Sequence, residues 1–306
     1  MLKSSRMPKW ILALAILAAT LTTSFAKEAR ADQHPEWTQA VPPYRIAGNL
    51  YYVGSKELAS YLVTTPQGLI LINSNLTTSP AQIRASVEKL GFRFKDVKIL
   101  LISHAHYDHC AGSARIKQWT GAQYMVMDAD VPVIQSGGRL DFQYGSKPGS
   151  RYPPTKVDRI LHDGSQVQLG DTVLVAHKTS GHTKGCTTWT MIVREKGKNW
   201  NVVIVGSPNV NPGYKLVNNL KYPQIASDYA QGFHTLKSLP CDIFLGAHPS
   251  YFDMAAKYPR FQAGDTQAFV DPAGYKSYIA EREQAFETEL AKQRAAQKHS
   301  TTPSQK

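Results

Sequence analysis

From residue 104 to residue 109 the chain reads His-Ala-His-Tyr-Asp-His, three imidazoles and a carboxylate in one hexapeptide. On an extended backbone, side chains two apart share a side, so His104, His106 and Asp108 face one spot. His109 turns in as the next segment coils. Imidazole and carboxylate are ligands that zinc favours, and a catalytic zinc takes three protein ligands and keeps one position open. Four donors exceed that number, so two ions are implied, and two further ligands must come from later in the chain. His182, in Thr179-Ser180-Gly181-His182-Thr183-Lys184-Gly185, and His248, in Gly246-Ala247-His248-Pro249, each stand where an apolar run gives way to a turn. A lone histidine is more often a satisfied core or surface residue. That reading is kept for His34, His162, His177, His234 and His299.

The segments that must carry these groups have a readable pattern. From Tyr44 to Asn73 come short β-rich runs separated by turn residues: YRIAG, LYYVG, ASYLVTT and GLILIN. SPAQIRASVEKLGF follows as a helix, with Ser79 as N-cap, Pro80 at the first helical position, and Ile83, Val87 and Leu90 on one face. KILLI predicts a buried strand, GSARIKQWT a helix and QYMVM another strand. This alternation after a meander suggests a layered α/β fold. The second half repeats the theme with strands TVLVAHKT, TTWTMIVRE and NVVIVG, helix YPQIASDYAQGFHTLKSL, strand CDIFLGAH and a closing helix from about Tyr275 to Lys298. The stretch 137–156, rich in Gly, Pro and aromatic residues, reads as a long functional loop in which Phe142 and Tyr144 shape a pocket rim. No linker divides the chain, so residues 27–298 are expected to form one domain, with 299–306 a disordered tail.

Lys3, Arg6 and Lys9 precede the apolar run Trp10 to Leu21 and the small-residue site Ser24-Phe25-Ala26, which is the pattern of a secretory signal peptide over residues 1–26. A second cleavage site after Ala31 is disfavoured by Lys27, Glu28 and Arg30. The mature chain is expected in the periplasm or outside the cell, free of the membrane. The formal charge of +12 is scattered, without an arginine-rich run or an RNA-binding signature, so a solvated basic surface fits better than a nucleic-acid partner. No obligate protein partner is evident. Cys110, Cys186 and Cys241 are odd in number, so at least one is unpaired within the chain, and none has C-x-x-C spacing.

HAHYDH, the later GHTKG and the late GAH together resemble the metallo-β-lactamase superfamily. That resemblance covers nearly the whole mature chain, from about Trp37 to the final helix, and implies a four-layer αββα sandwich of two similar halves. The fold alone does not give the reaction, because it hosts thioester, lactone, phosphodiester and lactam hydrolysis. Many relatives end the equivalent second-half strand with an aspartate that bridges the metals, whereas VVIVG here ends in Ser207, and a hydroxyl cannot supply that charge. Serine at this place and the following NPGY resemble the class B, subclass 3 enzymes, as do WTQAVPPYRIAGNLYYVG, LILINSNL, GHTKGCTTWTM and LPCDIFLGAHPSYFDM. Asn73 stands where the superfamily often has aspartate. Asn209 stands where some subclass members carry a second serine, and no cysteine follows Cys241 to form the disulfide that some members have.

The resemblance implies two Zn2+ ions and a small-molecule β-lactam substrate. His104, His106 and His182 would bind the first zinc at the lactam carbonyl. Asp108, His109 and His248 would bind the second at the substrate carboxylate and the departing nitrogen, with Asp108 also orienting the attacking hydroxide. Ser207 and Asn209 are expected to hydrogen-bond the carboxylate and Tyr214 to reach the carbonyl oxygen. Cys110 and Cys186 are expected to be inert. A lactone or thioester hydrolase, and a secreted metal-binding protein without turnover, are the competing readings.

Overall fold

The computed structural model describes residues 34–301, so the expected leader 1–26 and the final residues 302–306 lie outside the described chain. Two sheets are stacked face to face. The first has seven strands in chain order: β1 (Tyr44–Ala47), β2 (Leu50–Tyr52), β3 (Tyr61–Thr65), β4 (Gly68–Ile72), β5 (Val97–Leu101), β6 (Gln123–Met127) and β7 (Arg159–Leu161). Neighbours are antiparallel as far as β4 and parallel from β4 to β7. The change follows from the connections, since parallel neighbours need a crossover, usually helical. Helix α1 (Ser79–Lys89) joins β4 to β5. Helices α2 (Tyr107–Cys110) and α3 (Ser113–Thr120) join β5 to β6, and α4 (Val131–Gln135) lies between β6 and β7.

The second sheet runs β8 (Gln166–Leu169), β9 (Thr172–Lys178), β10 (Thr187–Glu195), β11 (Lys198–Val205) and β12 (Ile243–Gly246). It is antiparallel except for the β11–β12 pair, which helix α5 (Ile225–Ser238) connects. Helices α6 (Met254–Gln262) and α7 (Pro272–Thr301) close the chain.

Strand periodicity decides which layer each side chain enters. In β4, Ile70 and Ile72 join the core that the two sheets share, while Leu69 and Leu71 pack with Ile83 and Val87 of α1 and Ile116 of α3. Both faces of the strand are thus covered, as a near-continuous apolar run in a parallel region requires. On the far side, Tyr229 and Phe233 of α5 and Tyr275, Ile279 and Phe286 of α7 belong to the larger cluster, which also holds Phe244 of β12. The layers are helix, sheet, sheet and helix. Each such buried side chain is worth about 1.5–3 kcal/mol over its exposed state.

Three bonds tie the sheets together near one edge. Tyr61 donates its hydroxyl proton to the Gly246 carbonyl at 2.7 Å, Trp189 Nε1–H donates to Ile102 at 3.0 Å, and the Thr187 amide donates to Ser103 at 2.7 Å. That edge carries the carboxyl ends of β5, β9, β11 and β12.

Some boundaries differ from the sequence expectation. Thr78 occupies the cap of α1 and Ser79 is already helical and buried, so Pro80 is the second helical residue. The closing helix is longer than expected and runs through Thr301, taking in the first three residues of the expected tail. Stretch 137–156 is a loop with a single 3-10 turn at Pro148–Ser150. No helix among the described residues is long and apolar enough to cross a membrane.

Candidate metal centre

Each ligand candidate stands just past the end of a strand. After β5 the chain passes Ser103 and presents His104 and His106 before α2, whose single turn holds Asp108 and His109. Asn73, at the end of β4, fixes this exit. Its backbone is left-handed, with φ +67°, a conformation asparagine tolerates better than most residues. Its side-chain oxygen accepts the Ser103 amide at 2.8 Å while its amide donates to Ser103 Oγ at 2.9 Å. After β9, Gly181 turns the chain with φ +131° to deliver His182, and a side chain there would run into the Tyr229 ring. After β12, Ala247 leads to His248.

These six side chains come together. The ligand atoms of His104, His106 and His182 lie within 4.8 Å of one another, as do those of His104, Asp108 and His109. His106 Nδ1 faces His182 Nε2 at 3.1 Å, and His109 Nε2 faces His248 Nε2 at 3.1 Å. Asp108 Oδ2 lies 3.2 Å from His109 Nε2 and 3.6 Å from His248 Nε2. Both ring nitrogens of His104, Nε2 of His106 and Nδ1 of His109 are buried without a hydrogen-bond partner. Buried polar atoms are normally satisfied. His104, orphaned at both nitrogens, lies with the facing His106–His182 and His109–His248 nitrogens and the Asp108 carboxylate, and this donor set fits divalent cations.

The protonation pattern fits as well. Burial, reinforced by the neighbouring histidines, holds His104 well below the ordinary imidazole value, and burial pushes His182 down to about 3. Burial also lowers His109, in spite of Asp108. For Asp108 burial acts upward, but His109 and His248 outweigh it and keep the carboxylate ionised. Neutral imidazoles and an ionised carboxylate are the forms that bind metal, and His104, His109, His182 and Asp108 are biased towards them, while His106 is raised by nearby acids.

A second set of groups fixes which nitrogen points inward. His182 Nδ1–H donates to the Asn209 carbonyl at 2.8 Å and His248 Nδ1–H to the Glu57 carbonyl at 3.0 Å, leaving Nε2 of each free to ligate. Burial acts to lower the His106 ring, but Asp141, whose Oδ2 lies 3.5 Å from His106 Nε2, outweighs it and holds that imidazole above its ordinary value. Asp141 also accepts the amides of Gln143 and Tyr144, so one carboxylate organises both the long loop and a ligand candidate. Asp130 is 1% exposed and clamps the loops that carry His104 and His182: it accepts the amides of Ala105 and Gly185 and the hydroxyl of Thr183, each at 2.8 Å. Burial pushes its carboxyl up to about 6 against those three bonds. The sequence reading missed Asp130, Asp141 and Glu57. The available signal for Asp130 was its place in Asp128-Ala129-Asp130, directly after β6 on the ligand-bearing edge.

The site opens into a cleft of about 660 Å³, lined by His106, Asp108, His182 and His248 and walled by Trp37, Tyr144, Asn209, Asn211 and Tyr251. A groove of about 960 Å³ on the outer face of the second sheet holds none of the six candidates. Asn209 lines the cleft, and its side-chain amide donates to Tyr251. Ser207 and Tyr214 sit behind the wall, each 2% exposed, and neither lines the cleft. The Tyr214 hydroxyl is committed to the His182 carbonyl at 2.9 Å. Tyr144 is at the cleft as the loop reading expects, but Phe142 turns inward onto Tyr214 and Tyr222. Cys110 and Cys186 are buried free thiols that hydrogen-bond the carbonyls of His106 and Ser207, and burial pushes both thiols up, Cys186 to about 12.

The family model of the metallo-β-lactamase superfamily matches residues 59–191. The native FEZ-1 metallo-β-lactamase of Legionella gormanii is 56% identical, with a TM-score of 0.83, over 84% of this chain and 98% of that one. The chain therefore belongs to the metallo-β-lactamase superfamily, whose fold and hydrolase character it shares. Within it the resemblance is to subclass B3: the class B3 di-zinc metallo-β-lactamase LRA-12 from an Alaskan soil metagenome is 38% identical, with a TM-score of 0.79, over 83% of this chain and 96% of that one. A probable metallo-hydrolase of Burkholderia pseudomallei is 30% identical over 115 residues, a match spanning 38% of this chain and only 37% of that protein.

Proposed function

We propose that this protein is an exported zinc-dependent β-lactamase that opens the amide of β-lactam antibiotics, with two Zn2+ ions per chain. The observation that carries the reading is the paired geometry of the site: two histidine pairs, each with facing nitrogens 3.1 Å apart, on either side of the buried, partnerless His104. The likeness to B3 metallo-β-lactamases over most of both chains supports lactams as the substrate class. Export rests on the leader pattern in residues 1–26.

Bound zinc supplies Lewis acidity at the lactam carbonyl and lowers the pKa of water from about 15.7 towards about 7. The chain's residues do the rest. His104, His106 and His182 would hold one ion, and Asp108, His109 and His248 the other. Asp108, ionised and at the cleft, would accept a hydrogen bond from the water that bound zinc activates and so orient it. The backbone acceptors on His182 and His248 keep their ring nitrogens aimed during turnover, so the site does not reorganise as charge develops.

Ser207, two residues past β11, separates this reading from a lactone or thioester hydrolase with a bridging carboxylate. The side chains around it, Tyr251 and Asn209, are neutral too. The test is a panel of purified protein on a penicillin, a cephalosporin, a carbapenem, an acyl-homoserine lactone and a glutathione thioester, before and after chelation. Lactam opening that chelation abolishes is expected. Brisk cleavage of the lactone or thioester without lactam opening would overturn the reading, and metal binding without any turnover would leave a storage protein.

A further inference from the structure

Ser207 is the hydroxyl that sequence reasoning offers to the substrate carboxylate, yet Tyr251 stands between it and the cleft. Tyr251 lies in the 3-10 turn Pro249–Phe252 that follows β12 and His248. Its ring is held between two others, with centroids 5.2 Å from His248 and 5.1 Å from Tyr278. Its hydroxyl has two neighbours: Asn209 Nδ2–H donates to it at 2.8 Å, and Ser207 Oγ, away from the cleft, lies at 3.1 Å.

The direction of the second bond follows from burial. A phenol has two lone pairs and one proton. Ser207 is buried and Tyr251 is the one side chain within hydrogen-bond distance of its hydroxyl among the described residues, so satisfying its O–H means donating to Tyr251. With both lone pairs taken, the Tyr251 proton is left to the cleft that the residue lines. An ordinary phenol is protonated at neutral pH. The two bonds it accepts polarise it and strengthen it as a donor.

We propose that Tyr251, rather than Ser207, is the hydroxyl that donates to the ring carboxylate of the substrate, with Ser207 and Asn209 orienting it. This rests on the lactamase reading above for the identity of the substrate. A carboxylate fits here because the phenol proton lies beside the His109 and His248 pair.

Two measurements on metal-loaded protein, wild type, Tyr251→Phe and Ser207→Ala, test it. One is calorimetric binding of N-acetylproline, a five-membered-ring carboxylate that cannot be hydrolysed as a lactam. The other is KM and kcat on benzylpenicillin. Loss of one hydrogen bond to a charged group predicts that Tyr251→Phe weakens N-acetylproline about tenfold and raises KM by a similar factor, with kcat within about twofold and zinc content unchanged. Ser207→Ala, acting only through the phenol, should shift both by about threefold or less. Wild-type values in Tyr251→Phe, a larger loss in Ser207→Ala, or failure of wild type to bind N-acetylproline would each overturn the proposal. A wild type that binds N-acetylproline in a Tyr251-dependent way but opens no lactam would overturn the lactamase reading and leave this carboxylate site standing.

Discussion

Replacing Asp130 with Asn should weaken metal binding while leaving the metal-free fold about as stable as before. The side chain keeps its volume but loses one acceptor. Oδ2 serves Ala105 and Thr183 and Oδ1 serves Gly185, so either orientation of the new amide sets an NH2 against a buried backbone N–H. Leaving one such donor unsatisfied costs about 1–3 kcal/mol. The substitution also removes a buried negative charge. A carboxyl moved from 3.8 to about 6 corresponds to about 3 kcal/mol of unfavourable ionisation at neutral pH, and Asn does not carry it. In the metal-free protein the two effects nearly cancel. In the loaded protein nearby cations already offset that charge, so the lost clamp on both ligand loops is uncompensated. Zinc affinity should fall by about 10–100-fold, the usual cost of losing a group that supports metal ligands. Competition against a zinc-binding dye measures the affinity, and urea unfolding of the metal-free form measures the stability. Wild-type affinity in Asp130→Asn would refute the clamp, and a metal-free form that no longer folds would refute the cancellation.

Asp108→Ala should lose one of two zinc ions while Ser207→Ala keeps both, as metal analysis of dialysed protein would show; loss of an ion from the serine variant would refute the ligand set. Acidification should destabilise the metal-free protein. His182 is pushed down to about 3 against an ordinary 6.5, so the unfolded chain binds more protons between these values and stability falls as pH drops, by about 2 kcal/mol at pH 5. His104 and His109 act in the same direction, while His106 and Asp130, both raised rather than lowered, oppose it, Asp130 returning about 1 kcal/mol over that range. Urea midpoints at pH 7 and pH 5 decide it, and a higher midpoint at pH 5 would contradict the burial argument. Gly185→Ala would place a Cβ 2.6 Å from the Asp130 backbone nitrogen, so it should cost about 1–3 kcal/mol and lower the melting temperature.

The strands and the ligand candidates were legible because local rules set them. TTWTMIVRE is β10 to the residue, and QYMVM is β6. HAHYDH, His182 and His248 follow strand ends that the topology gathers at one edge. What escaped depends on packing between distant segments. β7 and β8 are short edge elements with little apolar pattern, and α6 holds Pro259 in its interior behind the left-handed Asp253. Asp130 and Asp141 look like loop acids until the fold sets one against Ala105, Thr183 and Gly185 and the other against His106. Ser207 and Tyr214 follow the family pattern in sequence, yet no rule of spacing reveals that Tyr251 covers one, or that the His182 carbonyl takes the hydroxyl of the other.

The most direct test of the account is a titration of metal-free protein with zinc, following benzylpenicillin and carbapenem hydrolysis at each addition. No turnover without metal, rising to a plateau by two equivalents per chain, is the predicted result. Lactam hydrolysis by the metal-free protein, or none at any zinc loading, would contradict it.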